Sequence, residues 1–210
     1  MAEASTLVIV FAKAPDAGRV KTRLEPVLGA VGAARLQARL TRRAMETALA
    51  AGCGEVQLWC APLCRHPFFQ HAASRYRVAL RAQGRGDVGA RMQRAIERGL
   101  RTHERVLLMG SDCPSLTPAH LQMAVRALRG GVDAVFSPAE DGGYALIGAR
   151  RSSLRLFAGI AWGTGEVMAD TRKRLRWLGW RWHELPTVWD VDRPEDYARL
   201  RRARLLEKKP

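Results

Sequence analysis

The sequence predicts an α/β protein, a three-layer α/β/α sandwich around a Rossmann-like, mixed but mainly parallel sheet. Three observations predict it. Apolar runs of strand length alternate with helical patterns through the first two thirds of the chain, which is typical of right-handed βαβ units. The run TLVIVF at 6–11 is apolar throughout, as expected of a strand buried on both faces. The Asp-Gly pair at 141–142, followed by YALIGA, indicates a hairpin and hence an antiparallel strand.

The strands and helices follow from local signals. Strands are predicted at 6–11, 55–60, 76–80, 105–109, 133–139, 144–149 and 180–185. Helices are predicted at about 29–50, within 66–75, after the glycine-rich turn at 83–87, from Pro118 to the stop at Gly130, within 162–179 and from Asp192 onward. We expect Thr117 and Thr164 to cap two of these helices, and Asp192 with Glu195 to form a capping box on the last.

Length and composition set limits on the protein's class. The 210 residues suit one domain, spanning 1–210, and no apolar run is long enough to cross a bilayer. The N-terminus lacks a basic leader, which favours a cytoplasmic location. The formal charge of +15 attracts polyanions, so nucleic acid and phosphorylated small molecules are both candidate partners. No nucleic-acid-binding motif is present, so we expect no specific nucleic-acid partner.

Unusual residues follow several predicted strands, at the sheet edge where open α/β sheets bind ligands. The loop at 12–24, AKAPDAGRVKTRL, combines Gly18 with four basic side chains, and this favours phosphate binding over a merely basic surface loop. It lacks the glycine spacing of a P-loop. The glycine-rich turn QGRGDVGARM at 83–92 opens a helix. It has two equally good interpretations: a binding site for a phosphate, ribose or base, or an ordinary helix N-cap by Asp87.

Acidic residues follow the later strands. Asp112, in GSDCPSL at 110–116, is placed to hold a divalent ion, although an Asx turn before Pro114 is the alternative. Glu140 and Asp141 are candidate acids for catalysis or acceptor binding, or else parts of a tight hairpin. Asp192 serves a helix cap or completes a metal site with Asp112.

Tryptophans are abundant near the end of the chain. Trp162, in AWGT, is a candidate for stacking on a ligand, with packing as the alternative. The indoles of Trp177, Trp180 and Trp182 are predicted to pack in the core or between helix and strand.

Taken in order, FAKAPDAGRVKTRL, QGRGDVGARM, LLMGSDCPSL, DGGYALIG, WGT and DVDRPEDY resemble the GT-A (nucleotide-diphospho-sugar transferase) superfamily. Within it, the chain is most similar to a bacterial glycosyltransferase-like family found in arsenosugar-biosynthesis and radical-SAM gene contexts. The resemblance covers residues 6–198. One departure is that Ser111-Asp112-Cys113 carries a single acid where many GT-A glycosyltransferases carry Asp-x-Asp.

The resemblance implies a role for each motif. The nucleotide and its phosphates would contact Ala12, Lys13, Gly18, Arg19, Lys21, Arg23, Gln83 and Asp87. Asp112 and Asp192 would bind Mg²⁺ or Mn²⁺, Asp112 and Asp141 would be catalytic, and a small acceptor would lie on Gly142, Gly143 and Trp162.

Three functions are therefore candidates for this chain. The first is transfer of a sugar from a nucleoside diphosphate-sugar to a small acceptor, with Asp141 as general base if the reaction inverts. The second is nucleotidyl transfer from a nucleoside triphosphate to a phosphorylated acceptor. The third, a nucleic-acid-binding module, rests on net charge alone.

Overall fold

A computed structural model describes residues 5–206 as a seven-stranded sheet with helices on both faces. The strands are β1 (Thr6–Lys13), β2 (Glu55–Ala61), β3 (Ala79–Ala82), β4 (Arg105–Gly110), β5 (Ala134–Pro138), β6 (Tyr144–Ala149) and β7 (Trp182–Glu184). The helices are α1 (Glu25–Ala50), α2 (Pro67–Tyr76), α3 (Val88–Leu100), α4 (Pro118–Arg129), α5 (Leu154–Phe157), α6 (Val167–Trp177) and α7 (Pro194–Arg202). The ends of the expected 1–210 unit, 1–4 and 207–210, lie outside the described residues.

The sheet has the strand order β3-β2-β1-β4-β6-β5-β7. Every neighbouring pair is parallel except the two pairs that involve β6, so β6 alone runs against the rest. The predicted mixed, mainly parallel α/β/α sandwich is confirmed, and so is the hairpin that turns β5 into β6. No helix within 5–206 has both the length and the apolar character needed to span a membrane.

Strand β1 is the centre of the core because it is buried on both faces. Val8 and Val10 pack into an apolar cluster shared with α1, α2 and α4, whereas Leu7 and Ile9 pack into a second cluster shared with α3, α5 and α6. Alternation of side chains along the strand produces this division. A smaller third cluster joins α1 to α7.

Several predicted boundaries are wrong. Strand β3 begins at Ala79 instead of 76, because Tyr76 still belongs to α2 and Arg77 (φ 53°) ends that helix in the left-handed conformation. The first helix begins at Glu25 and is interrupted at Gly29, whose φ is 65°. The short helix α5 was not predicted.

Two predicted helix caps also differ. Glu166, rather than Thr164, occupies the N-cap of α6, and the Thr164 hydroxyl instead donates to the Ala161 carbonyl. In α7 the capping box is shifted by one residue: Arg193 is the N-cap, and its N–H donates to Asp196 at 2.8 Å. Asp192 is thereby left available to the cleft.

One tryptophan prediction is wrong. Trp180 is buried and Trp182 half-buried, as a packing role requires, but 64% of Trp177 is exposed to solvent.

Candidate active site at the carboxyl edge of the sheet

The site lies where the sheet changes its direction of winding. From β1 the chain proceeds to β2 and β3 on one side, and β4 lies on the other side of β1. Such a switch point leaves a crevice outside the carboxyl ends of the strands. Phe11 of β1 is opposite Gly110 of β4, so the loops that follow the two strands leave the sheet side by side.

Lys21 links the first loop to two carboxylates. Its Nζ lies 3.1 Å from an oxygen of Asp112 and 3.9 Å from an oxygen of Asp192, and only 4% of its side chain is exposed. Its backbone is left-handed (φ 51°, ψ 37°), which is unusual for a residue with a side chain. Arg23, close by, contacts the other oxygen of Asp192 at 2.6 Å.

Hydrogen bonds fix the loop that carries Asp112. The buried Gln37 of α1 donates to the Ser111 hydroxyl at 3.1 Å, and the Val191 N–H donates to the Asp112 carbonyl at 3.0 Å. The Ser115 hydroxyl bonds both backbone polar groups of Trp189. The loops after β4 and β7 are therefore held together, and this brings Asp192 to the side of Asp112.

Asp112 and Asp192 fit a hard divalent cation. They come from different loops, yet one ammonium group approaches both. Mg²⁺ in nucleotide enzymes is held by one or two protein carboxylates together with substrate phosphates. Within 5–206, no group of three or more His, Cys, Asp or Glu side chains is arranged to hold a metal by itself. The pair therefore suits an ion that is shared with a substrate.

The basic part of the cleft surrounds Lys21. A cavity of about 320 Å³ is lined there by Lys13, Arg19, Lys21, Arg23 and the two aspartates. It adjoins a cavity of about 450 Å³ above the ends of β1 and β4, with which it shares Lys13, Gln37 and Asp112. Gly18, with a φ of 76°, turns the loop between Lys13 and Arg19.

The larger cavity extends under the second predicted loop. Gln83 is buried and donates to the Ala12 carbonyl at 3.1 Å and the Trp59 carbonyl at 2.9 Å. Its amide thus ties the end of β1 to the end of β2. Asp87 caps α3 by accepting from Ala90 at 2.8 Å, which gives its carboxylate a structural role.

Beyond Asp112 the cleft becomes acidic. A third cavity, of about 250 Å³, adjoins the 450 Å³ cavity, and both are lined by Met92 and Tyr144. Among its described lining residues, Asp112, Asp141 and Asp190 are aspartates and none is a lysine or arginine. Burial, reinforced by the charge of Asp141, raises the pKa of Asp190 to about 6.

Of the predicted acceptor residues, Gly143 and Trp162 line this acidic cavity, whereas Gly142 is not among its lining residues. Asp141 accepts from the Gly143 N–H at 2.9 Å, which is the turn geometry that the sequence offered as an alternative. A Cβ on Gly142 would lie 2.1 Å from the Gly165 carbonyl oxygen. Trp162 packs edge-on against Tyr144 and leaves no room for a Cβ on Gly89, so packing explains its position beside the cavity.

Sequence reasoning missed two cleft residues. Asp190 lies two residues before Asp192, and nothing in DVD distinguishes which aspartate faces which cavity. The sequence predicts Tyr144 only as the start of a strand, but its half-buried ring packs against the apolar core and also lines the acidic cavity. The sequence does contain a signal for Tyr144: it belongs to the same hairpin as Asp141, which is a predicted site residue.

A family model described as an uncharacterized protein conserved in bacteria, DUF2064, matches residues 44–164. The chain belongs to the DUF2064 family. No functionally curated protein matches its sequence.

Solved structures relate this DUF2064 chain to transferases. A protein from Desulfovibrio desulfuricans G20, provisionally assigned as a nucleotide-diphospho-sugar transferase, is 31% identical with a TM-score of 0.82, over 91% of this chain and 84% of that one. The predicted GT-A-type fold and superfamily are thereby confirmed.

More distant structures share the fold alone. CMP:2-keto-3-deoxy-manno-octonic acid synthetase complexed with CTP is 13% identical (TM-score 0.62, 98% of this chain and 100% of that one). Glucosyl-3-phosphoglycerate synthase from Mycobacterium tuberculosis, in complex with Mn²⁺, UDP and glucosyl-3-phosphoglycerate, is 12% identical (TM-score 0.59, 98% and 78%). The fold thus serves both glycosyl and nucleotidyl transferases that use nucleotides.

Proposed function

We propose that this DUF2064 protein is a glycosyltransferase that transfers a sugar from a nucleoside diphosphate-sugar to a small, unphosphorylated acceptor. The observation that carries the proposal is the division of charge along the cleft. Four cations surround one cavity, and three aspartates without a lysine or arginine line another. A nucleoside diphosphate-sugar has the matching distribution, with its charge on the diphosphate and a neutral, hydroxyl-rich sugar.

The basic cavity is the proposed diphosphate site. Lys21 and Arg23 already balance carboxylates there, and Lys13 and Arg19 line the same cavity. Ammonium and guanidinium groups bind phosphate oxygens through charge-assisted hydrogen bonds. The nucleoside would occupy the larger cavity next to Gln83, whose lining includes apolar side chains of β1, β4 and β6.

Asp112 and Asp192 are the residues proposed to hold Mg²⁺ or Mn²⁺. When bound, such an ion supplies positive charge for the negative charge that develops on a departing nucleoside diphosphate. Lys21 would add to this stabilisation from the protein side, since its Nζ is fixed next to Asp112.

The acidic cavity is the proposed site of the sugar and the acceptor. Carboxylates accept hydrogen bonds from hydroxyl groups but repel a phosphate, so a phosphorylated acceptor fits this end poorly. In an inverting transfer, Asp141 would take the proton of the acceptor hydroxyl. Asp141 is exposed at the cavity and keeps one oxygen engaged by Gly143, which fixes its orientation.

Nucleotidyl transfer is the second candidate. It is supported by one observation, the convergence of Asp112 and Asp192 on a single cation, since two carboxylates can hold the metal ion of a bound triphosphate. The two candidates differ in the nucleotide that they bind, and binding is therefore the first property to measure.

The test is a thermal-shift panel of nucleoside diphosphates, their sugars and triphosphates, with and without Mg²⁺ or Mn²⁺. A ligand at a hundred times its Kd stabilises by about 2.7 kcal/mol. We expect stabilisation by a nucleoside diphosphate and its sugar that needs the metal and is lost in Asp112→Asn. Asp170→Asn, which removes a carboxylate paired with Lys173 on α6, is the matched control and retains the shift.

The outcomes separate the candidates. A preference for triphosphates would replace glycosyl by nucleotidyl transfer. No shift with any nucleotide would overturn both. Release of nucleoside diphosphate from the stabilising sugar nucleotide, measured with a panel of sugar and polyol acceptors, would then identify the reaction.

A further inference from the structure

The outer surface formed by α5 and the end of α6 exposes apolar side chains among cations. Trp177 is 64% and Leu154 62% exposed, more than any other large apolar side chain within 5–206. The guanidinium carbon of Arg155 lies 4.8 Å from the centre of the Trp177 ring, so the two helices present these side chains together. We call Trp177, Leu154, Arg155, Arg174 and Arg176 the Trp177 patch.

The patch is structurally fixed. Arg174 donates to the carbonyls of Arg155 and Ala158, and this joins α6 to the end of α5. Beneath the surface, Leu156 and Leu175 belong to the apolar cluster on this side of the sheet. Trp177 is therefore held outward by ordered helices, and its exposure is not the result of a loose segment.

The charge around the patch is strongly positive. Residues 150–182 contain eight arginines and lysines but only two acids, Glu166 and Asp170. Asp170 is paired with Lys173, and Arg172 is paired with Glu184 of β7. The arginines of the patch therefore lie in a segment where cations outnumber acids by eight to two.

Packing accounts for only part of this arrangement. The contact with Arg155 covers one face of the Trp177 ring, and such a pair contributes modestly at an exposed position. With that contact formed, 64% of Trp177 and 62% of Leu154 remain exposed to water. The phosphate backbone of duplex nucleic acid would use the arginines and leave the exposed Leu154 without an apolar partner.

We propose that the Trp177 patch binds the surface of a lipid bilayer that contains anionic lipids. Tryptophan is favoured at the boundary between headgroups and acyl chains, where its apolar ring and N–H are both accommodated. Leucine adds apolar area at the same depth, and arginines extend their charge to anionic headgroups. The proposal uses both components of the patch and is independent of the proposed glycosyl transfer.

Docking through the patch leaves the cleft open. Trp177 ends α6, whereas Val167 at its beginning lines the acidic cavity. A helix rises about 1.5 Å per residue, so the patch and the cavity are separated by about 15 Å along the helix axis. A substrate can therefore enter while the protein lies on the membrane.

The test is co-sedimentation of the full chain with phosphatidylcholine vesicles that contain or lack phosphatidylglycerol. We expect binding only with phosphatidylglycerol. Trp177→Ala should weaken it by at least about tenfold, since the indole no longer leaves water. Arg155→Gln should weaken it about fivefold, the effect of one cation at an anionic surface.

Matched controls distinguish the patch from the general charge of the protein. Arg75→Gln removes another arginine stacked on an aromatic ring, that of Tyr76, and Leu63→Ala removes an exposed leucine from another surface. Both should bind vesicles like the wild type. Equal losses in patch and control variants would overturn the proposal, as would no binding to phosphatidylglycerol vesicles. Binding of duplex DNA that depends on Trp177 and Arg155, in the absence of vesicle binding, would replace the bilayer by a nucleic acid.

Discussion

At the scale of single residues, Lys21 determines the charge balance of the cleft. Its buried ammonium group approaches Asp112 and Asp192, and Arg23 shares Asp192. Its left-handed backbone is followed at once by a 3-10 turn, in which the Leu24 N–H donates to the Lys21 carbonyl at 2.8 Å. A divalent ion must compete with these cations for the same carboxylates.

Removing the ammonium group therefore has opposite effects on two ligands. In Lys21→Gln we expect Mn²⁺ alone to bind more tightly, because no side-chain cation competes for Asp112. The nucleoside diphosphate should bind more weakly, because a phosphate contact is lost. Loss of one hydrogen bond to a charged group, about 1.5 to 3 kcal/mol, corresponds to a change of roughly 10- to 150-fold in affinity.

Calorimetric titration with Mn²⁺, and separately with UDP, measures both effects. Lys13→Gln is the control, since Lys13 lines the same cavity and forms no ion pair with either aspartate within the described chain. Unchanged affinity for Mn²⁺ in Lys21→Gln would show that the lysine does not compete with the metal.

Gly142 is required for a close approach between two loops. Its φ is 85°, and a Cβ would lie 2.1 Å from the Gly165 carbonyl, so the loops must separate to accept alanine. Gly142→Ala should lower the free energy of unfolding by about 3 kcal/mol. Gly163→Ala, with a similar φ of 83° and open space around the new atom, should cost only about 1 kcal/mol. Urea denaturation compares them, and equal costs would refute the steric explanation.

The site residues were predictable to the extent that they follow strands. Lys21, Asp112 and Asp192 were identified from loop positions and from a resemblance, and the structure brings them within one ion-pair cluster. Asp190 was missed because a loop without regular periodicity does not reveal which side chains point into a cavity. The αL backbone of Lys21 was equally unpredictable, since lysine rarely adopts it.

At the scale of elements, the short strand β7 depends on α6. It has three residues and pairs only with β5 among the described strands. Arg172 of α6 contacts both oxygens of Glu184 in β7, at 2.9 and 2.6 Å, and these hydrogen bonds hold the pKa of Glu184 below its ordinary value of 4.5. The pair therefore joins the helix to the edge of the sheet.

The lowered pKa predicts how stability depends on pH. The carboxylate form is favoured in the folded protein, so its stabilisation is complete at neutral pH and is lost as the pH falls below 4.5 through the folded pKa. Glu184→Gln should lower the free energy of unfolding by about 1 kcal/mol at pH 7, an amount reduced by partial exposure. The difference between the variant and the wild type should shrink as the pH is lowered from 7 to 3.

Chemical denaturation at the two pH values tests this. Glu97→Gln, which removes a more exposed ion pair with Arg101 at 3.6 Å, should have almost no effect at either pH. A pH-independent deficit in Glu184→Gln would point to lost packing instead of lost charge.

The centres of the elements followed from the sequence better than their ends. The apolar run of β1 predicts a strand buried on both faces. The Asp-Gly turn predicts the hairpin at 141–144. The ends of α2 and α6, by contrast, depend on a single residue adopting one backbone conformation, as Arg77 does. Propensity does not determine that choice, because neighbouring elements compete for the same residues.

At the scale of the whole molecule, the cleft separates charge despite an overall excess of +15. Its basic and acidic cavities are adjacent, with Asp112 in both. Salt weakens attraction between exposed charged groups, most strongly beyond a Debye length of about 10 Å at 0.1 M. UDP binding should therefore weaken as salt rises, whereas binding of a neutral sugar acceptor should not.

Titrations of UDP and of the acceptor at several salt concentrations measure these two dependences. A salt-independent UDP affinity would mean that the basic cavity does not hold the diphosphate. Arg126→Gln on α4, a charge change outside the residues that line the cleft cavities, is the control and should leave the slope unchanged.

The position of β1 between the two apolar clusters also predicts which backbone amides exchange with solvent first and which exchange last. Edge strands β3 and β7 are short and lie furthest from the centre, so their amides should exchange with deuterium through small local fluctuations. The amides of β1 and β4 are enclosed on both faces and should exchange only when the whole molecule unfolds. The two strands that present Lys13 and Asp112 would then be the last parts of the chain to lose protection, and the substrate would meet the most rigid part of the protein.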